Sequence, residues 1–322
     1  MKHPFTTAMT LAAATLLGST LVAGAQENYP TKPIKVIVPE VVGSAADLMS
    51  RIIGQRIGEA LGQPVTYENL FLEAGVEKGI KSAPGGYTLI YGSSGNVALL
   101  PHVKKVSFDP LKDLTPVARF VIQPTLIAAN PSLPVNTLQE LVAMMKANPN
   151  KLRMSTAGAG TAGHFAGERF IAMTGVKPVV VHYNGGGPAI EAVVNNDSQW
   201  TVAPIAGRLP HVRTGKLRAL AISSPSRLSM LPEVPTVEEA GYPGFRDVGW
   251  GAIFVPNGTQ QPVIAKLNAT IAQVVTLPEV RKQFEDQGTE ATSSSQAEMV
   301  KFLQDDYRRF GELAKNLGVR AD

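Results

Sequence analysis

The sequence contains no cysteine. That removes disulfides, thiol nucleophiles, cysteine-ligated zinc and an N-terminal lipid-modified cysteine from consideration. Long apolar runs are missing too: beyond the first two dozen residues nothing approaches the roughly 18 uninterrupted apolar residues of a membrane span. No Lys/Arg block or basic stripe interleaved with aromatics occurs, and the formal net charge is only +4, so nucleic acid is not an expected partner. The five histidines form no H-E-x-x-H and no paired spacing suited to a metal. No G-x-S-x-G occurs, and Gly92-Ser93-Ser94-Gly95 has the wrong spacing for a nucleophile elbow. No catalytic residue, metal or cofactor is therefore expected; a hydrolase or lyase is the remaining enzymatic alternative.

What is present begins with an export signal. Lys2 and His3 give a basic start, Ala8 to Val22 run mostly apolar, and Ala23-Gly24-Ala25 forms an A-x-A cleavage pattern. Residues 1–25 are expected to be a signal peptide cleaved between Ala25 and Gln26, delivering the chain to the periplasm. The remainder, residues 26–322, is long enough for two domains with separate cores.

Short apolar strands alternate with amphipathic helices. Ile34 to Val38 reads as a strand, followed by a helix from Ser44 to the stop at Gly62 with Leu48, Ile52, Ile53, Ile57 and Leu61 on one side. Further strands are expected at Val65–Glu68, Tyr87–Tyr91, Leu152–Ser155, Val179–Tyr183, Trp200–Ala203 and Leu217–Ile222. Helices are expected at Thr137–Ala147, Pro262–Val275 and Gln296–Leu317. This pattern predicts an α/β protein with mostly parallel sheets flanked by helices. Two long extended segments, Phe120–Ala129 and Val248–Val255, bracket the middle of the chain. If both cross between lobes they form a hinge, with lobe 1 discontinuous (26–125 plus 250–322) and lobe 2 at 126–249; two lobes in simple chain order are the alternative.

Four small polar turns each follow a strand and open a helix: Gly43 to Asp47, Gly92 to Gly95, Thr156 to Gly163 and Tyr183 to Gly187. Helix N-termini carry free N–H groups and partial positive charge. Several converging on one sheet edge would hold a carboxylate or phosphate, whereas each alone is an ordinary short connection. Gly158-Ala159-Gly160-Thr161-Ala162-Gly163 spells G-x-G-x-x-G, but the next strand ends His182-Tyr183-Asn184, without the acid a dinucleotide ribose needs.

In order along the chain stand Tyr29-Pro30-x-Lys32-Pro33, Gly43-x-x-x-Asp47, Ala60-Leu61-Gly62-Gln63-Pro64-Val65, Pro84-x-Gly86-Tyr87-Thr88-Leu89 and Asn130-Pro131-Ser132-Leu133-Pro134. Leu209-Pro210-His211-Val212-x-x-Gly215-Lys216-Leu217-Arg218-Ala219-Leu220-Ala221 and Leu231-Pro232-Glu233-Val234-Pro235-Thr236-Val237-x-Glu239-Ala240-Gly241 follow. In these the chain resembles the Bug-type receptors, the extracytoplasmic solute receptors of tripartite tricarboxylate transporters, over essentially its whole mature length. The resemblance implies the two-lobed (type 2) flytrap fold of periplasmic binding proteins, a carboxylate ligand and delivery to a membrane permease. A monomer is expected, and an aromatic or dicarboxylic acid is the expected ligand, with Leu70, Phe71 and Leu72 as an apolar wall for an aromatic or larger one. A sensor subunit presenting its ligand to a membrane signalling protein is the alternative within the binding class.

Carried over by position, the resemblance puts the ligand loops at Gly43, Ser44, Ala45 and Asp47; at Ser93 and Ser94; at Thr156, Gly158, Ala159, Gly160, Thr161, Ala162 and His164; and at Tyr183, Asn184 and Gly185. Bulkier residues at Gly43 and Gly185 are expected to weaken binding. Departures from the family pattern add candidates. Pro39-Glu40-Val41-Val42 replaces an aromatic Pro-Gly-Gly entry, bringing in Glu40 and Val42. Asn69-Leu70-Phe71-Leu72 replaces a Gly-rich loop, and Val202-Ala203-Pro204 stands where Phe-Asp-Asn is usual, with Arg208 nearby. Alanine at 203 removes an acid that would repel an anion, and Arg208 would attract one if it faced the cleft. Glu40 argues the other way: a buried carboxylate beside an anion is costly unless paired, protonated or met by a ligand ammonium or hydroxyl.

Overall fold

A computed structural model describes residues 29–320; the expected signal peptide and its cleavage point lie outside the described residues. Strand β1 (Ile34–Val38) is buried at four of its five positions, which is why it reads as a continuous β-branched run. The helix Ala45–Leu61 begins where Ser44 Oγ accepts the Asp47 N–H and ends at Gly62, whose φ of 67° lies in the left-handed region. Its buried face carries Met49, Ile53 and Ile57. Strands β2 (Val65–Asn69) and β3 (Thr88–Ser93) flank β1, both parallel to it.

Then comes β4 (Leu114–Ala129), 16 residues long. It is followed by β5 (Arg153–Thr156), β6 (Val179–His182), β7 (Trp200–Pro204) and β8 (Arg218–Ile222). The chain returns through β9 (Val248–Pro256) and β10 (Glu290–Ala291), and the helix Gln296–Leu317 closes it. The strand order is β2-β1-β3-β9-β4-β7-β5-β6, with β8 and β10 paired to β4.

Strand β4 belongs to both halves of the sheet. From Leu114 to Pro124 it pairs antiparallel with β9; from Thr125 to Ala129 it pairs antiparallel with β7 and β8. Each half is therefore mixed rather than mostly parallel. The outer βαβ strands are parallel, as a crossover helix requires, but strands that leave one half and return to it lie antiparallel. The expected strand at Phe120 starts six residues earlier, at Leu114. Arg119 does not end it because its guanidinium stacks on Phe302 at 4.5 Å, and Pro116 is absorbed by a register shift before Ala118.

The apolar clusters divide in the same way. One gathers Ile127, Leu141, Phe170, Trp200 and Phe245 around β5 and β7, and another packs Leu126, Ile190, Leu209 and Leu231. Two more combine the N-terminal segment with the C-terminal helices, one around Ile34, Phe120 and Phe284, the other around Val97, Phe254 and Phe310. Among the described residues no helix is long and apolar enough to cross a membrane, and no group of three or more His, Asp or Glu is placed to hold a metal ion.

Candidate functional site

Helices open toward the seam between the halves from both sides. Ser44 caps the first, leaving Ala45 and Ala46 at its first turn. Thr161 caps the helix Ala162–Thr174 by accepting the His164 N–H, and Gly185, at φ 101°, precedes the helix Gly186–Val194. A fourth element leaves β3 as a π-helical turn, Ser94–Leu99. Ser93 Oγ accepts the Asn96 N–H at 3.3 Å while Asn96 Oδ1 accepts the Ser93 N–H at 2.8 Å. The first N–H groups of these helices have no carbonyl within the helix to reach.

Between them lies a cavity of about 80 Å³, walled by Glu40, Ser44, Ala45, Ala46, Leu72, Tyr91, Ser93, Ser94, Gly95, Asn96, Gln123, Ala157, Thr161, Ala162, Gly163, Gly186, Ala203, Pro204, Arg208, Gly249 and Trp250. That volume is several times the roughly 10–15 Å³ that a single water needs, so the cavity has room for more than one solvent molecule. Its rigid wall is fixed from behind. Trp250 Nε1 donates to Asp306 Oδ2 at 2.7 Å, and Gln123 Nε2 donates to the Tyr91 hydroxyl at 2.9 Å. Burial pushes the Tyr91 phenol far above its ordinary range, so it stays neutral.

Two ionisable groups, one basic and one acidic, share the cavity. Arg208 is 3% exposed, and its Nη1 donates to the Pro204 carbonyl at 3.0 Å. Burial lowers its guanidinium to about 10, and no carboxylate among the described residues pairs with it. Glu40 is half-buried overall, but its Oε2 is enclosed and has no hydrogen-bonding partner. Burial pushes its carboxyl up to about 8, against a weaker opposing pull from the Val41 backbone, so it is largely neutral at pH 7.

A model of the tripartite tricarboxylate transporter family receptors matches residues 49–319. The chain belongs to this receptor family. Such receptors are periplasmic solute-binding proteins. Protein BugT of Bordetella pertussis is 31% identical over 302 residues, 91% of this chain and 92% of its own. The malate-bound MatC of Rhodopseudomonas palustris superposes with a TM-score of 0.82 at 30% identity, covering 88% of this chain and 99% of its own. An adipate-bound protein of R. palustris does so with a TM-score of 0.87 at 27% identity, covering 91% and 99%. The two-lobed α/β architecture of periplasmic binding proteins is common to them.

Within this family member, Glu40, Ser44, Ala45, Ser93, Ser94, Thr161, Ala162, Ala203 and Arg208 line the cavity, as the sequence led one to expect. The other candidates do not reach it. Val42 is 68% exposed at the tip of its loop, and Gly43 and Asn184 also face solvent. Thr156 sits beneath its loop, bonded to the Gly158 N–H and to His182 Nδ1. Gly158 is covered by Phe71, and Ala159 packs into an apolar cluster. Gly160 donates to His164 Nδ1 at 3.1 Å, which makes His164 a support for the loop rather than part of the wall. The Tyr183 hydroxyl turns away to Ser198, and Gly185 spends its N–H on the Ala157 and Tyr183 carbonyls.

Asp47 also turns away, and its role is positional. Only 2% exposed, it accepts from the Gly43 N–H at 2.9 Å, from Arg51 Nε at 3.0 Å and from Asn69 Nδ2 at 3.0 Å. Burial raises its carboxyl, but the bonds from Arg51, Gly43 and Asn69 outweigh that and hold it below its ordinary value. A carboxyl lowered in the folded state stabilises above its unfolded value of about 3.9, and that stabilisation is lost as pH falls through the folded value. Asp47→Asn is expected to cost about 2 kcal/mol at pH 7, discounted because Arg51 is half in water, and to flatten the acid limb of a melting-temperature-against-pH curve. An unchanged limb would show that Asp47 is not the group responsible.

Among the lining residues, Ala46, Gly95, Ala157, Gly163 and Gly186 lie in the turns the sequence singled out and Leu72 and Pro204 in the segments that depart from the family pattern, whereas Tyr91, Asn96, Gln123, Gly249 and Trp250 were missed. Gln123 carried a usable signal, a lone amide inside the apolar run Phe120–Ala129.

Proposed function

We propose that this periplasmic receptor captures a small carboxylate between its lobes without altering it and delivers it to the membrane partner of a tripartite tricarboxylate-type transporter. In this reading residues 1–25 are removed at Ala25/Gln26, residues 26–125 with 250–322 form one lobe and 126–249 the other, and the receptor acts as a monomer. The observation that carries it is Arg208: a buried guanidinium without a carboxylate partner, in a cavity rimmed by helix N-termini. A buried charge is tolerated when a counter-charge meets it, and a ligand carboxylate supplies one. Each helix end adds about 0.3–1 kcal/mol of preference for an anion, more where partly buried. The malate and adipate bound by the two R. palustris proteins support the same ligand class.

The test is a thermal-shift screen against mono- and dicarboxylates, aromatic acids, amino acids and uncharged analogues. A ligand at 100 times its dissociation constant should add about 2.7 kcal/mol of stability. Shifts confined to compounds bearing a carboxylate, each recovered unchanged, are the expected result. Equal shifts from uncharged analogues, or turnover of a panel member, would overturn it.

A further inference from the structure

Three buried side-chain atoms without a hydrogen-bonding partner among the described residues belong to residues of this one cavity: Arg208 Nε, Asn96 Nδ2 and Glu40 Oε2. Arg208 and Asn96 are 3% and 1% exposed. An orphaned buried polar atom costs about as much as a lost hydrogen bond, so three around one space describe the complement of an occupant. Two of the three are donors. The helix N-termini and the hydroxyls of Ser44, Ser93 and Ser94 add further donors. Glu40 is the one acid in the wall. No cation of the protein is paired with it: Lys and Arg partners are found for Glu68, Glu73, Glu77 and Asp47 nearby, but not for Glu40. An occupant that matches this wall brings an acceptor group for Arg208 and Asn96 and a donor for Glu40.

We propose that the ligand is a zwitterion, a small amino carboxylic acid whose carboxylate lies at Arg208 and the helix N-termini and whose ammonium lies at Glu40. This rests on the carboxylate-receptor reading and narrows it to one class. A plain diacid leaves Glu40 facing a second anion, against which it must stay protonated. A neutral hydrogen-bond donor at this place would need only an amide or hydroxyl, which the wall already has in plenty. A carboxyl adds what those groups lack, a negative charge, and an ammonium beside it supplies the counter-charge that lets it ionise despite burial. Leu72, Tyr91 and Trp250 give the ligand's carbon skeleton an apolar wall.

The experiment measures binding of matched pairs by calorimetry: glutamate against glutarate, aspartate against succinate, and 5-aminopentanoate against pentanoate. In at least one pair the amino acid is expected to bind on the order of 10- to 100-fold tighter than its partner, the range of one charged hydrogen bond. Glu40→Gln should erase that preference by bringing the affinity for the amino acid down to that of its partner acid. Des-amino acids binding as tightly as amino acids in the unmodified protein, or more tightly in every pair, would overturn the zwitterion while leaving a carboxylate receptor standing. No binding by any member of any pair would overturn both. The pair comparison in the unmodified protein decides the matter even if the variant folds poorly.

Discussion

Replacing Arg208 by methionine is expected to lower carboxylate affinity by about two to three orders of magnitude while leaving the unliganded protein no less stable. The two halves of that result have one cause. Arg208 is 3% exposed, its side chain makes one hydrogen bond among the described residues, to the Pro204 carbonyl, and burial lowers its guanidinium to about 10. A cation whose folded value lies below its unfolded value destabilises the fold wherever both states are charged. The penalty is on the order of 3 kcal/mol here, fully present at pH 7 and relieved only as pH rises through about 10. Methionine keeps comparable length and apolar packing, removes the charge, and removes the group a carboxylate would pair with. Calorimetric affinity and thermal unfolding without ligand check the two halves separately. Undiminished affinity would mean that Arg208 does not hold the anion; loss of both affinity and fold would make its role structural.

Gly185→Ala is expected to reduce affinity by about 10- to 100-fold, and Gly43→Ala to leave affinity nearly unchanged. A methyl group on Gly185 would stand 2.1 Å from Val41 Cγ2, on the opposite rim, and the position has φ 101°. In a receptor that closes on its ligand, as the proposed function requires, the overlap exists only while the rims meet, so it opposes closure and weakens a ligand that draws its affinity from the closed form. Overpacking of this kind costs about 1–3 kcal/mol. Gly43 has φ 78° but nothing within 4 Å of a would-be Cβ. Its substitution costs only the left-handed backbone, about 1–2 kcal/mol of stability. Restoration of affinity in Gly185→Ala by a second change, Val41→Gly, identifies the contact responsible. A Gly185→Ala protein that binds and compacts in small-angle scattering like the parent would remove this contact from the closing motion.

The sequence expectation treated both glycines alike, whereas a Cβ on Gly185 meets Val41 and one on Gly43 meets nothing, and that contrast marks where sequence reasoning ends. Periodicity and punctuation located Ser44 as a cap, Gly62 as a stop and the helix Gln296–Leu317, because those are local matters of hydrogen bonding and burial. The turns that open helices were legible for the same reason, and so were Arg208 and Ala203, as departures from a familiar pattern. Tyr91, Gln123 and Trp250 were not, because they meet only through β3, β9 and β4, strands far apart in sequence whose pairing no spacing encodes. Leu72 stands in the segment that replaces a Gly-rich loop of the family pattern, yet its conformation, φ 46° in a non-glycine residue, could not be inferred. The short helix Glu73–Ile80 that follows it also escaped, since eight residues with two glycines give little helical signal.

Strand β4 has a mechanical consequence. Its first part is clamped in one half of the sheet and its last part in the other, with Pro124 at the changeover. A single continuous rod held at both ends transmits twist, so whatever happens at the mouth is also written as an angle on the outer surfaces. On the proposed function, a membrane partner reading that angle need not inspect the cargo, and recognition can drift from one solute to another through Glu40, Leu72 or Arg208 while the message sent outward stays the same.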